Sequence, residues 1–364
     1  MKKTYIFMAV ILTVVFIYGC KSTVPPTFPA AAKPIATQTP NATQTIEAFT
    51  NWMGGINATK TAITLFYATE TPTISVQFVK EWGDYGSSDG QVSEPFGVAV
   101  DSVTGRVYVA NRGIERILVF DNNGTFIKRW GSLGNLDGEF YGPTGIAIDS
   151  ITDRVYVVDS GNNRIQVFDT NGTFITKWGD IGTEDGYFDS PYGVAVDGST
   201  GRVYVADSFN SRIQVFDSNG TFITKWGSRG SADGQFVFPF GVAVDNSADR
   251  VYVVDTANDR VQVFDRNGIF ITKWGSMGSG NGQFQSPLGI TADSITGKVY
   301  VSDTANDRIQ VFDSNGTFIT KWDDAGSTVA SLVSPYGMAI NSTTGIVYVA
   351  EYTVSRMMMY KVYN

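Results

Sequence analysis

From residue 76 onward, apolar residues fall into short runs separated by turn residues, and the runs come in sets of four. One set reads PYGVAVD, GRVYVADS, SRIQVFDSNG and TFITKWG. Val203-Tyr204-Val205 has the β-branched and aromatic character of a strand buried on both faces. Ile213–Phe216 and Phe222–Trp226 alternate with period two, which predicts strands with one wetter side. Asn219-Gly220 between them predicts a type I′ hairpin with positive φ at both central residues. The same pair recurs at Asn123, Asn171, Asn267 and Asn315. Small residues in the first run, Gly193 and Ala195, suit a strand that converges with others on a crowded axis.

The whole set repeats every 48 residues. Trp82, Trp130, Trp178, Trp226, Trp274 and Trp322 keep that spacing, and so do Pro95, Pro143, Pro191, Pro239, Pro287 and Pro335. Four-stranded units of this length cannot bury their faces alone, and stacking around an axis is how such units form a core. The last unit ends after SRMMMYKV without a fourth strand, while Val76–Trp82 is a fourth strand with no unit of its own. Pairing the two hides both edges. The predicted fold is therefore all-β: a six-bladed β-propeller of four-stranded antiparallel blades over residues 76–363, closed by the N-terminal strand that completes the last blade.

The phrases PYGVAVD, RVYVADS and NSRIQVFD resemble NHL repeats, and the resemblance covers residues 76–362. It is most specific in the four central units; the first departs with NRGIERILVF and the last with EYTVSRMMMY. The resemblance implies a six-bladed propeller that binds protein or RNA partners. Its enzyme relatives, peptidyl-hydroxyglycine lyases and streptogramin lyases, use histidines, and this chain has none. Its RNA-binding relatives use a basic face. Its ubiquitin-ligase relatives carry a Cys/His-rich RING that this chain lacks.

Composition narrows the function further. The absence of histidine removes His-ligated zinc, His general bases and Ser-His-Asp triads. The formal charge is −8; without Lys2 and Lys3 it is 25 basic against 35 acidic residues, and no basic run is present. A nucleic-acid partner is not expected, since polyanion binding needs clustered cations. Lys2 and Lys3 precede an apolar run from Tyr5 to Tyr18, the form of a secretory signal. Ile17-Tyr18-Gly19-Cys20 resembles a lipobox, so residues 1–19 read as a lipoprotein-type signal peptide and Cys20 as the lipidation site. Residues 20–75, rich in Pro, Thr and Ala, read as a tether too poor in buried apolar surface to order itself. Ala62–Tyr67 is a candidate extra strand within it, and Asn41 and Asn57 lie in glycosylation sequons. The expected location is extracytoplasmic, on a membrane, with the chain monomeric.

Two sets of positions are candidates for chemistry. The first is an acid at the end of each second strand, Asp159, Asp207, Asp255, Asp303 and Glu351, with Asn111 in the first unit. Each is followed five residues later by an arginine. A ring of acids could hold a cation; a bidentate staple within each blade is the architectural alternative, and repetition in nearly every blade favours the staple. The second set follows the repeat proline: Phe96, Thr144, Tyr192, Phe240, Leu288 and Tyr336. Four aromatics around a channel mouth would offer a stacking platform for sugar or peptide. Arg112, Phe209, Arg229, Met277 and Tyr352 vary on the same loop face, where specificity should live. Asp137, Asp185 and Asp233, each before glycine, read as turns rather than calcium ligands, and Phe140, Phe188, Phe236 and Phe284 as residues packed between blades.

The expected ligand site on the loop face and channel mouth is thus Phe96, Arg112, Tyr192, Phe209, Phe240, Tyr336 and Tyr352. The expected function is a membrane-tethered binding scaffold for protein, peptide or glycan, with no catalytic residue, metal or cofactor. The alternative is a metal-dependent lyase or lactonase-like enzyme with a carboxylate site in the central channel. A purely structural spacer is the third reading.

Overall fold

A computed structural model describes residues 74–323 and 331–363 of the chain. The signal peptide, Cys20, the sequons, the Ala62–Tyr67 run and all but the end of the tether lie outside the described residues. The first strand, β1 (Ser75–Trp82), stands apart from the blade that follows it in sequence. That blade holds β2 (Pro95–Val100), β3 (Val107–Asn111), β4 (Arg116–Phe120) and β5 (Phe126–Trp130). Blade 2 holds β6 (Pro143–Asp149), β7 (Arg154–Asp159), β8 (Arg164–Asp169) and β9 (Phe174–Trp178). Blade 3 holds β10 (Pro191–Asp197), β11 (Arg202–Asp207), β12 (Arg212–Phe216) and β13 (Phe222–Trp226). Blade 4 holds β14 (Pro239–Asp245), β15 (Arg250–Asp255), β16 (Arg260–Asp265) and β17 (Phe270–Trp274). Blade 5 holds β18 (Ile290–Asp293), β19 (Lys298–Asp303), β20 (Arg308–Phe312) and β21 (Phe318–Trp322). Blade 6 takes β22 (Pro335–Asn341), β23 (Ile346–Glu351) and β24 (Arg356–Tyr363) from the end of the chain, and its fourth strand is β1.

Ser75 pairs with Tyr363 and Trp82 with Met357, with a bulge between Phe78 and Lys80. Arg356 bonds Glu81 at 2.8 Å across the seam. The ring is closed as the unpaired ends of the sequence required.

The core lies between blades rather than within them. Ala99, Tyr108 and Val119 of blade 1 pack with Ile146, Val155 and Phe168 of blade 2, and the same arrangement recurs at each junction round to blades 6 and 1. Phe140 is fully buried at this junction, where it meets Phe168 at 5.7 Å. The repeat tryptophan is an interblade residue too. Trp130 lies so close over Gly172 in the next blade that a Cβ there would stand 2.7 Å from the indole.

Two expectations fail. The third strand has no wetter side: Gln166, Gln214, Gln262 and Gln310 are fully buried, because each amide is consumed by a buried polar network described below. Only the fourth strand alternates. The hairpin is also different. Gly172 N–H donates to Asp169 O at 3.0 Å, and of this turn Gly172 alone takes positive φ, +86°. The Asp169 carboxylate accepts from the N–H groups of Asn171 and Thr173, both at 2.8 Å. An aspartate-capped turn followed by a glycine bulge replaces the type I′ turn, and the register shifts between Val167 and Phe168 accordingly.

Candidate functional site

The face carrying the fourth-to-first loops and the second-to-third turns is called upper here. Its framework is the repeated acid and arginine. Arg212 Nε donates to Asp207 Oδ2 at 2.6 Å, but the contact is single, not the bidentate staple the spacing suggested. The remaining guanidinium nitrogens donate to the carbonyls of Thr183, Glu184 and Tyr187 at 2.6–2.8 Å, tying down the long loop that enters the blade. Asp207 also accepts from Asn210, from Gln214 Nε2 at 3.0 Å and from Asp189 N–H at 2.8 Å. Burial pushes its carboxyl up, against the opposing pull of these hydrogen bonds. Blades 2, 4 and 5 repeat the network at Asp159, Asp255 and Asp303.

Blade 1 dismantles it. Asn111 stands for the acid, Ile114 for the asparagine and Leu118 for the glutamine. Asn111 Oδ1 still receives Ser93 N–H at 2.8 Å, and among the described residues the Arg116 guanidinium reaches Ser87 O at 3.4 Å.

Between blades, the residue after the upper turn acts as a latch that the sequence analysis missed. Glu115, Asn163, Asp259 and Asp307 accept the backbone N–H of Gly142, Ser190, Ser286 and Ser334 in the next blade, at 2.6–2.8 Å. Ser355 does the same for Glu94 across the seam at 3.1 Å. All five latch residues sit at φ between 49° and 55°. The signal was present in the polar residue that precedes every repeat arginine, but its target lies 27 residues away in blades 1, 2, 4 and 5.

At the axis, Gly97, Gly145, Gly193, Gly241, Gly289 and Gly337 form a ring in which each glycine touches the next blade's carbonyl. A Cβ on any of them would lie 2.1–2.4 Å from that oxygen. This is why the first strand is rich in small residues. With the backbones this close, the side chains after the prolines meet over the centre. Tyr192 stacks on Phe240 at 4.4 Å, Phe96 lies 6.0, 5.5 and 5.1 Å from Tyr192, Phe240 and Tyr336, and Tyr336 stacks on Tyr352 at 4.7 Å. Phe96 is only 5% exposed. The aromatics are therefore a plug packed on itself, not an open ring of faces. Burial raises the hydroxyl pKa of Tyr336.

Six of the seven expected site residues gather at this plug. Arg112 lies 5.7 Å over the Phe96 ring, and Tyr352 donates its hydroxyl to Glu94 at 2.9 Å. Phe209 does not join them. It packs edge-on against Phe238 at 5.1 Å, farther out between blades 3 and 4, where the two are 52% and 37% exposed. Phe238 was not anticipated; it replaces the small or polar residue found before the other repeat prolines. Met277 is exposed on a loop bridged to the buried Phe284, as is Arg229 on the loop bridged to Phe236.

Beneath the plug, the channel retains a cavity of about 70 Å³ lined by Val98, Ile146, Val194, Val242, Ile290 and Met338 with the ring of glycines. An engineered apolar cavity that admits benzene is about 150 Å³. No carboxylate among the described residues lines this cavity. Among the described residues no three His, Cys, Asp or Glu side chains gather as a metal site would need. The Asp-Gly loops are turns, with Gly138, Gly186 and Gly234 at φ of 77–85°, and Asp137, Asp185 and Asp233 pair with Lys177, Lys225 and Lys273 at 2.5 Å.

Comparison with known proteins bears on the fold. Residues 97–178, 183–261 and 243–297 match the family DUF5128, described as a 6-bladed beta-propeller. No curated protein matches the chain. Among solved structures, a protein of unknown function from Bacteroides thetaiotaomicron is 17% identical over 80% of this chain and 76% of its own, with a TM-score of 0.57. A gluconolactonase from Xanthomonas campestris is 16% identical over 76% and 88%, with a TM-score of 0.55. A streptogramin B lyase is 14% identical over 80% and 98%, with a TM-score of 0.54. At these identities the likeness is one of fold.

Proposed function

The chain belongs to the DUF5128 family of six-bladed β-propellers, and from that premise we propose that it is a binding module that receives a protein or peptide segment on its upper face. The finer kinship with NHL repeats belongs to the same proposal and rests on the repeated phrases of blades 2 to 5. So do the tether and the location: Cys20 anchors the chain by a lipid outside the cytoplasm, and the propeller is carried on the preceding segment.

The observation that carries the reading is where the six-fold frame breaks. The network repeats in blades 2 to 5, the latch at five junctions and the axial glycine in all six blades. Glu94, Arg112, Phe209, Phe238 and Tyr352, by contrast, have no repeated counterpart, and they all lie on the upper face. Phe209 and Phe238 expose apolar rings that no repeated contact explains, and an exposed aromatic pair on a rigid frame is the kind of anchor a partner side chain packs against. A peptide suits this face better than a sugar because stacking of Tyr192 on Phe240 and of Tyr336 on Tyr352 covers a face of each ring. The lactonase and lyase likenesses supply no residues here, since the channel is apolar and its cavity is far below the roughly 300–1,000 Å³ of ordinary small-molecule sites.

The test is selection of a displayed random dodecapeptide library on the full-length chain, with a glycan array in parallel. Enriched peptides should bind with micromolar affinity and lose at least tenfold on Phe209→Ser with Phe238→Ser. An array signal without peptide enrichment would transfer the site to glycans. Silence in both, or affinity indifferent to the double substitution, would refute the reading.

A further inference from the structure

We infer that Arg112 is the specificity-determining residue of the upper face and that it takes a carboxylate, so the partner segment carries an aspartate or glutamate beside an apolar residue. This rests on the peptide-binding reading above. Position 112 is occupied in the four central blades by Ser160, Ser208, Thr256 and Thr304. Three of these hydroxyls donate to the carbonyl of the next blade's repeat proline: Ser208 to Pro239 at 2.6 Å, Thr256 to Pro287 at 2.8 Å and Thr304 to Pro335 at 2.7 Å. Arg112 gives up that architectural bond. Its guanidinium lies over Phe96 instead and makes no ion pair or hydrogen bond with the described residues.

The two carboxylates of its neighbourhood are engaged elsewhere. Glu115 accepts the Gly142 N–H at 2.6 Å, and Glu94 accepts the Tyr352 hydroxyl at 2.9 Å. Burial raises the Glu115 carboxyl, partly offset by the Gly142 bond, with Asp159 adding to the rise and Arg112 opposing it. An arginine left without a contacting acid in a chain of charge −8 is the one departure at this position that adds donors and removes a structural bond. Its planar fork matches a carboxylate in two parallel hydrogen bonds. The flanking glutamates and the acidic chain weaken attraction at long range, so a diffuse polyanion gains little. Recognition is left to the short-range fork, with apolar contacts from the exposed Phe209–Phe238 pair.

The experiment uses the same dodecapeptide selection on the full-length chain. Enriched peptides should carry Asp or Glu, and replacing that acid by alanine should weaken binding at least tenfold. Arg112→Gln should lower the affinity of the acidic peptide equally while leaving the alanine peptide unchanged, and Arg112→Glu should shift selection toward Lys or Arg. Circular dichroism and melting temperature confirm that each variant is folded. Peptides that bind without an acid, or an acid whose loss is not coupled to Arg112, would overturn this inference and leave the peptide-binding reading standing. Failure to enrich any peptide would overturn both.

Discussion

Asp207→Asn tests the idea that buried polar networks, not only apolar junctions, hold each blade's entry loop. The side chain is fully buried and accepts from Arg212, Gln214, Asn210 and the Asp189 N–H. The amide turns one acceptor edge into a donor that faces Arg212, itself 8% exposed. Breaking a buried ion pair costs about 3–5 kcal/mol when one charge is left uncompensated. Arg212 keeps three loop carbonyls, which places the expected loss at the lower end, about 3 kcal/mol. At about 2–4 °C per kcal/mol for a large domain, melting should fall by roughly 6–12 °C. Blade 1 supplies the control, since it carries asparagine here together with Ile114 and Leu118. The triple variant Asp207→Asn, Asn210→Ile, Gln214→Leu should therefore recover at least half of the loss, because the Asn210 and Gln214 amides that the carboxylate served are gone. The new amide at position 207 then stands in the place of Asn111, whose Nδ2 is buried without a partner among the described residues. Thermal and urea unfolding followed by circular dichroism would measure both. A single variant that loses less than about 1 kcal/mol, or a triple variant no better than the single, would refute the reasoning.

Gly193→Ala places a Cβ 2.2 Å from the Phe240 carbonyl; overpacking against backbone should cost about 3 kcal/mol or more, while Gly186→Ala, with open space but φ of +85°, should cost about 1 kcal/mol, both read by urea midpoints. The hairpin aspartates Asp121, Asp169, Asp217 and Asp313 are raised by burial but lowered further by hydrogen bonds from their turns, a net depression. Their contribution is present above the ordinary aspartate range and lost as the pH falls through the lower folded values, so melting temperature should drop below about pH 4, and Asp217→Asn should flatten that slope. Burial raises the second-strand tyrosines, Tyr252 and Tyr348 to about 12. Their stabilisation is complete below the ordinary tyrosine value and lost as the pH rises toward the folded one, so tyrosinate absorbance in the folded chain should lag behind the urea-unfolded chain between about pH 10 and 12. Equal titration of the two states would contradict the burial.

The 48-residue spacing of Trp and Pro made the blade count legible, and the orphan strand at Val76–Trp82 made closure legible. Local chemistry was less so. Gln214 alternates with Ile213 and Val215 as a surface residue would, and only the convergence of Asp207 and the entry loop explains its burial. Asn219-Gly220 carries the sign of one turn while Asp217, two residues earlier, imposes another by capping it. The plug was hidden because alternation along a strand says nothing of how near its end lies to an axis. Tyr192 and Phe240 are 48 residues apart, and their 4.4 Å stack depends on glycines that let the backbones close in. Phe209 was read as a mouth residue because its turn is on the right face, but its partner Phe238 fixes it farther out.

The closing strand has a consequence for copies of the chain held near one another. Five blades are continuous in sequence, and the sixth is a clasp of main-chain hydrogen bonds between β1 and β24, with Val76, Phe78 and Trp82 packed into the core beside it. When it opens, β24 presents a bare edge whose complement is the β1 of any copy, with the same register and the same Arg356–Glu81 pair available. Exchange between neighbours then restores every bond at no enthalpic loss, and what opposes it is only the greater effective concentration of a chain's own end. High local concentration of copies narrows that advantage, so linked rings are an alternative that this closure makes available when the clasp opens.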